Sequence, residues 1–310
     1  MNSQGSYTGK IAKYQQPVLI YNPVAGKFRR QPARILQRTI DALKKVGIIA
    51  ELTPTAAAGH ATELAREAVA AGADLILVLG GDGTINEVAN GMIPSRVPLG
   101  IVPGGTANVL ANELGLGNGL ERAIARLGKC EERRIAAGRL CTPFRDPRFF
   151  LLMAGAGLDA TIVTKVNPGL KARAGKLAYW AAGLGEFFTT VGQFNAKIDG
   201  RQTQHGFALV SRVRNYGGDM EIASEASLLS NDFEVVLFEG SNPLRYAAYM
   251  TAVTLRQVKS MPGVQAVRAQ RVEFSGSAHL QIDGEYAGRL PASLEMAPDA
   301  LTLLIPPTYL

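Results

Sequence analysis

Between residues 17 and 130 the apolar positions follow two alternating rhythms. Val18-Leu19-Ile20-Tyr21 is a short continuous apolar run closed by Asn22-Pro23. Leu36, Ile40 and Leu43 then recur at i, i+4 and i+7, which predicts one apolar helix face with Gly47 as its stop. Ile48 to Leu52 reads as a strand, and Ala61 to about Ala71 as a helix ending at Gly72. Leu75-Ile76-Leu77-Val78-Leu79 is apolar at every position, as in a strand covered on both faces. Gly80-Gly81, a helix, the strand Leu99–Val102, Pro103-Gly104-Gly105 and another helix complete the series. Strands alternating with helices predict a parallel, doubly wound sheet.

From about Arg133 the rhythm changes. Strand-like stretches crowd together at Arg148–Ala154, Gly206–Ser211, Phe233–Phe238, Arg271–Phe274, His279–Ile282 and Ala300–Ile305. Two helical insertions interrupt them, at about Gly175–Val191 and Pro243–Val258. The expected organisation is a disordered start over 1–16, an α/β domain over 17–136 and a mainly antiparallel β domain over 137–296. The segment 297–310 is expected to pack back on the first domain.

Composition narrows the class. The chain has 310 residues, 47% hydrophobic and 19% charged, which is globular and long enough for two domains. Cys130 and Cys141 are the only cysteines, so a disulfide scaffold and a Cys-rich zinc site are excluded. His60, His205 and His279 are scattered, which argues against a histidine metal site. The net charge is +7, and the first 140 residues hold 17 Lys+Arg against 11 Asp+Glu. That excess suits an anionic ligand or surface and does not by itself imply nucleic acid. Apolar runs such as Phe149–Ala154 fall far short of the roughly 18–20 residues that span a bilayer. Met1–Gln16 is polar and lacks a signal peptide's apolar core. We expect a soluble cytoplasmic chain for which peripheral membrane contact is permitted.

In a parallel sheet, the loops that follow the strands gather at one edge, where such folds bind ligands. Here they read Asn22-Pro23-Val24-Ala25-Gly26-Lys27, Thr53-Pro54-Thr55 leading to Gly59-His60, Gly80-Gly81-Asp82-Gly83-Thr84-Ile85-Asn86-Glu87, and Pro103-Gly104-Gly105-Thr106-Ala107-Asn108. Glycine lets a backbone approach a ligand closely, and a helix N-terminus offers N–H groups and partial positive charge. Together these predict a phosphate cradle, with Thr84 and Thr106 as hydroxyl donors or caps. Asp82 would repel a bare phosphate, so a Mg²⁺ between them is expected. Taken singly, each loop also fits an ordinary tight turn with a helix cap. The chain has neither Gly-x-x-x-x-Gly-Lys-[Ser/Thr] nor a Gly-x-Gly-x-x-Gly at its first turn, which disfavours P-loop and dinucleotide-dehydrogenase readings.

The run Gly80 to Gly91, together with Pro103–Asn108 and Asn22–Gly26, resembles the signature of the diacylglycerol kinase catalytic-domain superfamily, bacterial lipid-kinase branch. Gly155–Ala160, Gly175–Tyr179 and Ile282-Asp283-Gly284-Glu285 extend the resemblance over nearly the whole chain. Gly-Gly-Asp-Gly-Thr alone is shared with NAD kinases. The resemblance implies a doubly wound kinase-like first domain, a β-rich lipid-substrate domain, and ATP-dependent phosphorylation of a lipid alcohol. It implies nucleotide contacts from Asn22, Pro23, Val24, Ala25, Gly26, Thr55, Gly81, Asp82, Gly83, Thr84, Ile85, Asn86, Glu87 and Thr106. It places Asp82 near Mg²⁺ and the triphosphate, or as the base in some sphingoid-kinase branches. In the bacterial branch Glu285 is the proton acceptor, with Asp283 beside it. It further implies phospholipid metabolism, work at the inner membrane face, and a homodimer as one assembly open to the chain.

Asp283 and Glu285 lie two apart. On a strand they share a face, whereas around a Gly284 turn they diverge. Two close carboxylates can raise one pKa into the working range; the same residues also fit a plain hairpin turn with a solvated Glu. One departure from the family concerns Ser230-Asn231-Asp232-Phe233, where members commonly carry Asp-Gly-x-Leu in a loop holding a structural Mg²⁺. That leaves Asp232 as the candidate ligand.

Between Ala160 and Gly185 stand Lys165, Lys171, Arg173 and Lys176 with no acidic residue, and Tyr179-Trp180 and Phe187-Phe188 lie in or beside this stretch. The pattern fits either an anionic membrane interface or an amphipathic helix packed on the core. Two rival functions stay open at this point: an NAD kinase-like enzyme on a soluble nucleotide, and a non-catalytic lipid- or nucleotide-binding module.

Overall fold

The computed structural model describes residues 13–26, 28–143, 145–157, 193–217, 220–240 and 242–309. The first half contributes β1 (Pro17–Tyr21), α1 (Pro32–Lys45), β2 (Glu51–Pro54), α2 (His60–Ala70), β3 (Leu75–Gly80), α3 (Asp82–Met92) and β4 (Pro98–Pro103). These strands are parallel in the order β2-β1-β3-β4. Every residue of β3 and β4 is buried, which explains their unbroken apolar character. β2 is the edge strand and begins three residues later than the pattern suggested, leaving Ile48–Ala50 outside it. The helix expected after β4 is two short ones, α4 (Val109–Glu113) and α5 (Leu120–Leu127).

The second half supplies β5 (Glu131–Thr142), β6 (Arg145–Phe150), β7 (Met153–Gly157), β8 (Phe194–Ile198), β9 (Arg201–His205), β10 (Phe207–Ser211) and β11 (Phe233–Phe238). These are followed by α6 (Pro243–Thr254), β12 (Val264–Ala269), β13 (Arg271–Gly276), β14 (His279–Ile282), β15 (Glu285–Arg289) and β16 (Ala292–Ile305). Six of the strands form an antiparallel sheet, β12-β11-β10-β7-β14-β15. The others extend the first sheet to ten strands. The joining strand is β16, which pairs parallel with β4 through Thr302 and Leu303 and antiparallel with β5 and β13.

The two sheets face each other over Phe150, Phe194, Phe233, Phe274, Leu280 and Leu294, all buried. Phe150 stacks on Phe233 at 5.7 Å, and Phe194 meets Phe274 edge-on at 5.4 Å. Each ring contributes roughly 2–3 kcal/mol of apolar burial to this sandwich core.

The run Arg148–Ala154, expected as one strand, is broken at Leu151-Leu152. The N–H groups there are turned away from the ladder, towards the carboxylate of Asp283. Of the start expected to be disordered, residues 1–12 lie outside the described residues. Lys13 pairs with Glu132 at 2.9 Å, and the amides of Gln15 and Gln16 donate to Asp74. Lys27, Leu158 to Ala160, the basic and aromatic segment with its helix at about Gly175–Val191, and Leu310 also lie outside the described residues.

Candidate active site

The loops after β1, β3 and β4 dock backbone to backbone. Gly104 N–H donates to the Gly80 carbonyl at 2.8 Å, and a Cβ on Gly105 would stand 2.6 Å from the Gly81 Cα. Only glycine permits that approach. Asn22 closes the first loop, accepting from the Val24 amide at 3.0 Å and donating to Thr84 Oγ1 at 3.3 Å. Thr55 is buried beside it, its amide bonded to the Tyr21 carbonyl at 2.9 Å. Thr106 is exposed at the front of the loop. Asn22–Gly26, Gly81–Thr84 and Gly104–Gly105 therefore converge, as the sheet-edge argument expected.

The polar side chains of α3 act mostly as struts. Asp82 Oδ2 and Oδ1 accept from the Val109 and Leu110 amides at 3.1 and 3.2 Å, tying the start of α3 to the start of α4. Glu87 accepts from Gly59 and Ala61 and caps α2. Asn86 donates to the Phe149 carbonyl at 3.0 Å and to Asp283 Oδ2 at 2.7 Å. Ile85 faces the core. The first i to i−4 bond of α3 is Ile85 N–H to Gly81, at 3.0 Å. The amides of Gly83 and Thr84 precede that ladder, so the open end of the helix offers them to a ligand.

Asp283 and Glu285 diverge. Asp283 (φ +47°) and Gly284 (φ +83°) form the tight turn between β14 and β15, so one carboxylate goes in and the other out. Asp283 Oδ1 accepts from Leu152 and Met153 at 2.9 and 3.0 Å, and Oδ2 from Leu151 at 2.9 Å in addition to Asn86. Burial pushes its pKa up to about 6, against the opposing pull of those four donors. The raised pKa expected from a neighbouring carboxylate thus has another cause, desolvation. Close by, Arg212 is fully buried, and burial lowers its pKa to about 10, opposed by Tyr309 and Asp283.

Glu285 has a side chain 48% exposed and reaches across to the first sheet. A Cβ placed on Gly83 would stand 2.7 Å from Glu285 Oε1. Its other oxygen lies 3.5 Å from the Arg148 guanidinium. Asp82, Gly83, Asn86, Asp283 and Glu285, from both halves of the sequence, thus meet at one place.

Asp232 lies elsewhere. Both its oxygens accept from Arg268, at 3.0 Å from Nε and by a shorter contact from Nη2, while Nη1 of the same arginine donates to the Glu225 carbonyl at 2.6 Å. Lys259 pairs with Glu225 and the buried Glu234 beside it. Arg268 and Lys259 therefore already engage the three carboxylates of this loop, and its donor set does not fit a divalent ion. Among the described residues no cluster of three acidic, histidine or cysteine side chains is arranged to hold a metal.

Residues 16–140 match the family described as diacylglycerol kinase catalytic domain, and residues 153–305 the YegS C-terminal NAD kinase beta sandwich-like domain. A diacylglycerol kinase of Bacillus subtilis (strain 168) is 30% identical over 284 residues, 88% of this chain and 90% of that protein. The chain belongs to the diacylglycerol kinase catalytic-domain family. A Staphylococcus aureus (strain MRSA252) diacylglycerol kinase is 29% identical, over 89% of this chain and 87% of its own length. A crystal structure described as a diacylglycerol kinase, from Bacillus anthracis (strain Sterne), shares the fold with a TM-score of 0.76 at 21% identity, covering 96% of this chain and 99% of its own.

Membership makes the chain a kinase. Three residues of the candidate site were given no role in the sequence analysis, two of them inside the quoted motifs. Asn90 lies one turn after Asn86 and holds Phe149 at both its amide and its carbonyl, at 2.9 Å each. Asn108 closes the Gly105 loop with bonds of 2.8 and 3.0 Å. Arg148 belongs to no motif. Asn90 and Asn108 stand inside the quoted motifs, and the i, i+4 spacing of Asn86 and Asn90 was a further signal, since it places two amides on one helix face.

Proposed function

We propose that this kinase transfers the γ-phosphoryl group of ATP to the hydroxyl of a lipid alcohol, diacylglycerol or a sphingoid- or ceramide-like alcohol, with Glu285 as proton acceptor. The observation that carries the reading is the placement of an exposed carboxylate, Glu285, against Gly83 at the open N-terminus of α3. A helix start in a glycine-lined cradle suits phosphates, and an acceptor carboxylate beside it suits the attacking hydroxyl. The names of the relatives support a lipid acceptor.

In this reading Asn22 to Gly26, Thr55, Gly81 to Glu87 and Thr106 form the nucleotide side. Gly83 and Thr84 present amides, and Asn22, Asp82, Asn86 and Glu87 keep the cradle in shape. Asp82, half-buried at the start of α3, is a fitting carboxylate for a Mg²⁺ carried on the triphosphate. Such an ion would supply charge neutralisation on the phosphates. Asp283, buried and bonded to the Leu151–Met153 amides, positions Glu285 and takes no proton from the substrate. The acyl chains of the acceptor keep it in a bilayer, so the enzyme meets it at the membrane surface, on the cytoplasmic side where ATP is found. Among the described residues no helix is long and apolar enough to cross a membrane.

The test is Glu285→Gln, which keeps shape but cannot take a proton. Turnover of diacylglycerol in mixed micelles should fall by on the order of 10²–10⁴, with ATP affinity retained. Asp283→Asn should cost less turnover than Glu285→Gln. Undiminished turnover in Glu285→Gln would remove it as the base. Wild-type transfer to NAD and to no lipid alcohol would overturn the lipid reading.

A further inference from the structure

Arg148 lies within β6, one residue before Phe149, whose amide and carbonyl are both held by α3: Asn90 accepts from the amide, and Asn86 and Asn90 donate to the carbonyl. The base of the arginine is therefore fixed relative to the phosphate cradle. Its side chain is 37% exposed, and its guanidinium touches Glu285 Oε2 at 3.5 Å. That distance is too long for the paired fork of 2.7–2.9 Å bonds that a committed Arg–carboxylate pair forms. The other oxygen of the same carboxylate lies on Gly83. One acidic side chain thus stands between a cation from β6 and the positive end of α3.

The proposed chemistry explains why a cation belongs there. As the hydroxyl attacks, the bond from Pγ to the bridging β,γ-oxygen breaks and the bond from Pγ to the lipid oxygen forms. The hydroxyl proton passes to Glu285, and ADP leaves. An anionic carboxylate and an anionic phosphoryl group must approach within a few ångströms, and their repulsion opposes the step. A guanidinium has five N–H donors in a rigid plane, so one edge can stay on Glu285 while the other meets phosphoryl oxygens.

We infer that Arg148 is a phosphoryl clamp: it bridges Glu285 and the equatorial oxygens of the transferring group. This rests on the reading of the site as a phosphotransfer centre with Glu285 as base. It assigns a transition-state contact to a residue outside every glycine motif.

The experiment uses the full chain with Arg148→Gln and Arg148→Lys. With diacylglycerol in mixed micelles, Arg148→Gln should lower kcat on the order of 10²–10³-fold while KM for ATP holds, the pattern of a contact made only in the transition state. Arg148→Lys, which keeps the charge and loses the fork, should recover part of that loss. A second readout needs no lipid. ADP with magnesium and aluminium fluoride, a mimic of the transferring group, should bind wild type more tightly than ADP alone. Arg148→Gln should lose that gain and keep its ADP affinity. Wild-type kcat in Arg148→Gln would overturn the inference. So would a full fluoride gain, or a raised KM at unchanged kcat. Failure of the underlying reading is seen separately, as a wild-type enzyme that phosphorylates no lipid alcohol or a Glu285→Gln variant that turns over normally.

Discussion

Asp283 shows what one side chain can do to a backbone. Its carboxylate gathers three successive amides, Leu151 to Met153, and so ends β6 and starts β7. The consequence for stability has a definite sign. Its folded pKa, about 6, lies above the ordinary 3.8, so the native state holds a proton that the unfolded chain releases. The stability this contributes is complete below about pH 4 and is lost as pH rises through about 6, in total about 3 kcal/mol. Urea unfolding at about pH 4 and about pH 7 should show a fall of that size in wild type relative to Asp283→Asn. Equal pH dependence in the two proteins would mean the carboxylate stays ionised throughout. The pair Asp283 and Glu285 was visible in the sequence, but the opposite directions of its members were not. They follow from positive φ at Asp283 and Gly284, and the amino-acid string left strand and turn equally open. Arg148 left no trace in the sequence, because its significance comes from Glu285, 137 residues further along the chain.

At the scale of elements, α1, α2, β3, β4 and β11 were legible because each buries a face or both faces, and burial selects a periodicity. β5 was not. It opens Glu131-Glu132-Arg133-Arg134, a charged run exposed in its first three positions, and it is a strand because β16 pairs with it along most of its length. Partner strands decide such cases, and periodicity has no access to them. The glycine motifs located the cradle, yet most polar members of the α3 motif hold neighbouring elements. The junction of β11 and β12 carries a further prediction. The Arg268 fork on Asp232 and the Glu225 carbonyl does what a metal would do in a loop of this kind. Without nucleotide, the melting temperature should be the same in EDTA as in millimolar Mg²⁺, and Arg268→Gln should lower it by a few degrees. That shift corresponds to charge-assisted bonds of about 1–3 kcal/mol. Stabilisation of the wild-type protein by Mg²⁺ that vanished in Asp232→Asn would restore a metal to the loop.

For the whole molecule, the sheet that carries the cradle cannot be separated from the rest. β16 covers the open side of β4, and Leu301, Leu303 and Ile305 are buried in the same core as Ile76 and Leu99. Removing them takes away the burial of three large side chains, about 6 kcal/mol, which is comparable with the whole stability of a typical domain. A fragment of residues 13–140, which keeps every loop of the phosphate cradle, should therefore lack cooperative thermal unfolding and dispersed amide NMR signals. A folded fragment would show that β4 tolerates a bare edge. The two-part division of the chain was readable as a change of rhythm near Arg133. The continuity of one sheet across that change was not, because it depends on pairings between residues remote in sequence.

That continuity has a consequence for how the protein is made. A ribosome releases the phosphate cradle early and the β16 segment much later, and synthesis proceeds at only about 5–20 residues per second. During that interval β4 is a buried-type strand with one unpaired flank, the kind of surface that recruits a strand from a neighbouring chain. The nascent kinase would then depend on chaperones, or on slow expression, for the time its own later segment takes to arrive. Appending a solubilising partner upstream would not shorten that wait, whereas a circular permutation bringing the β16 segment ahead of β1 would.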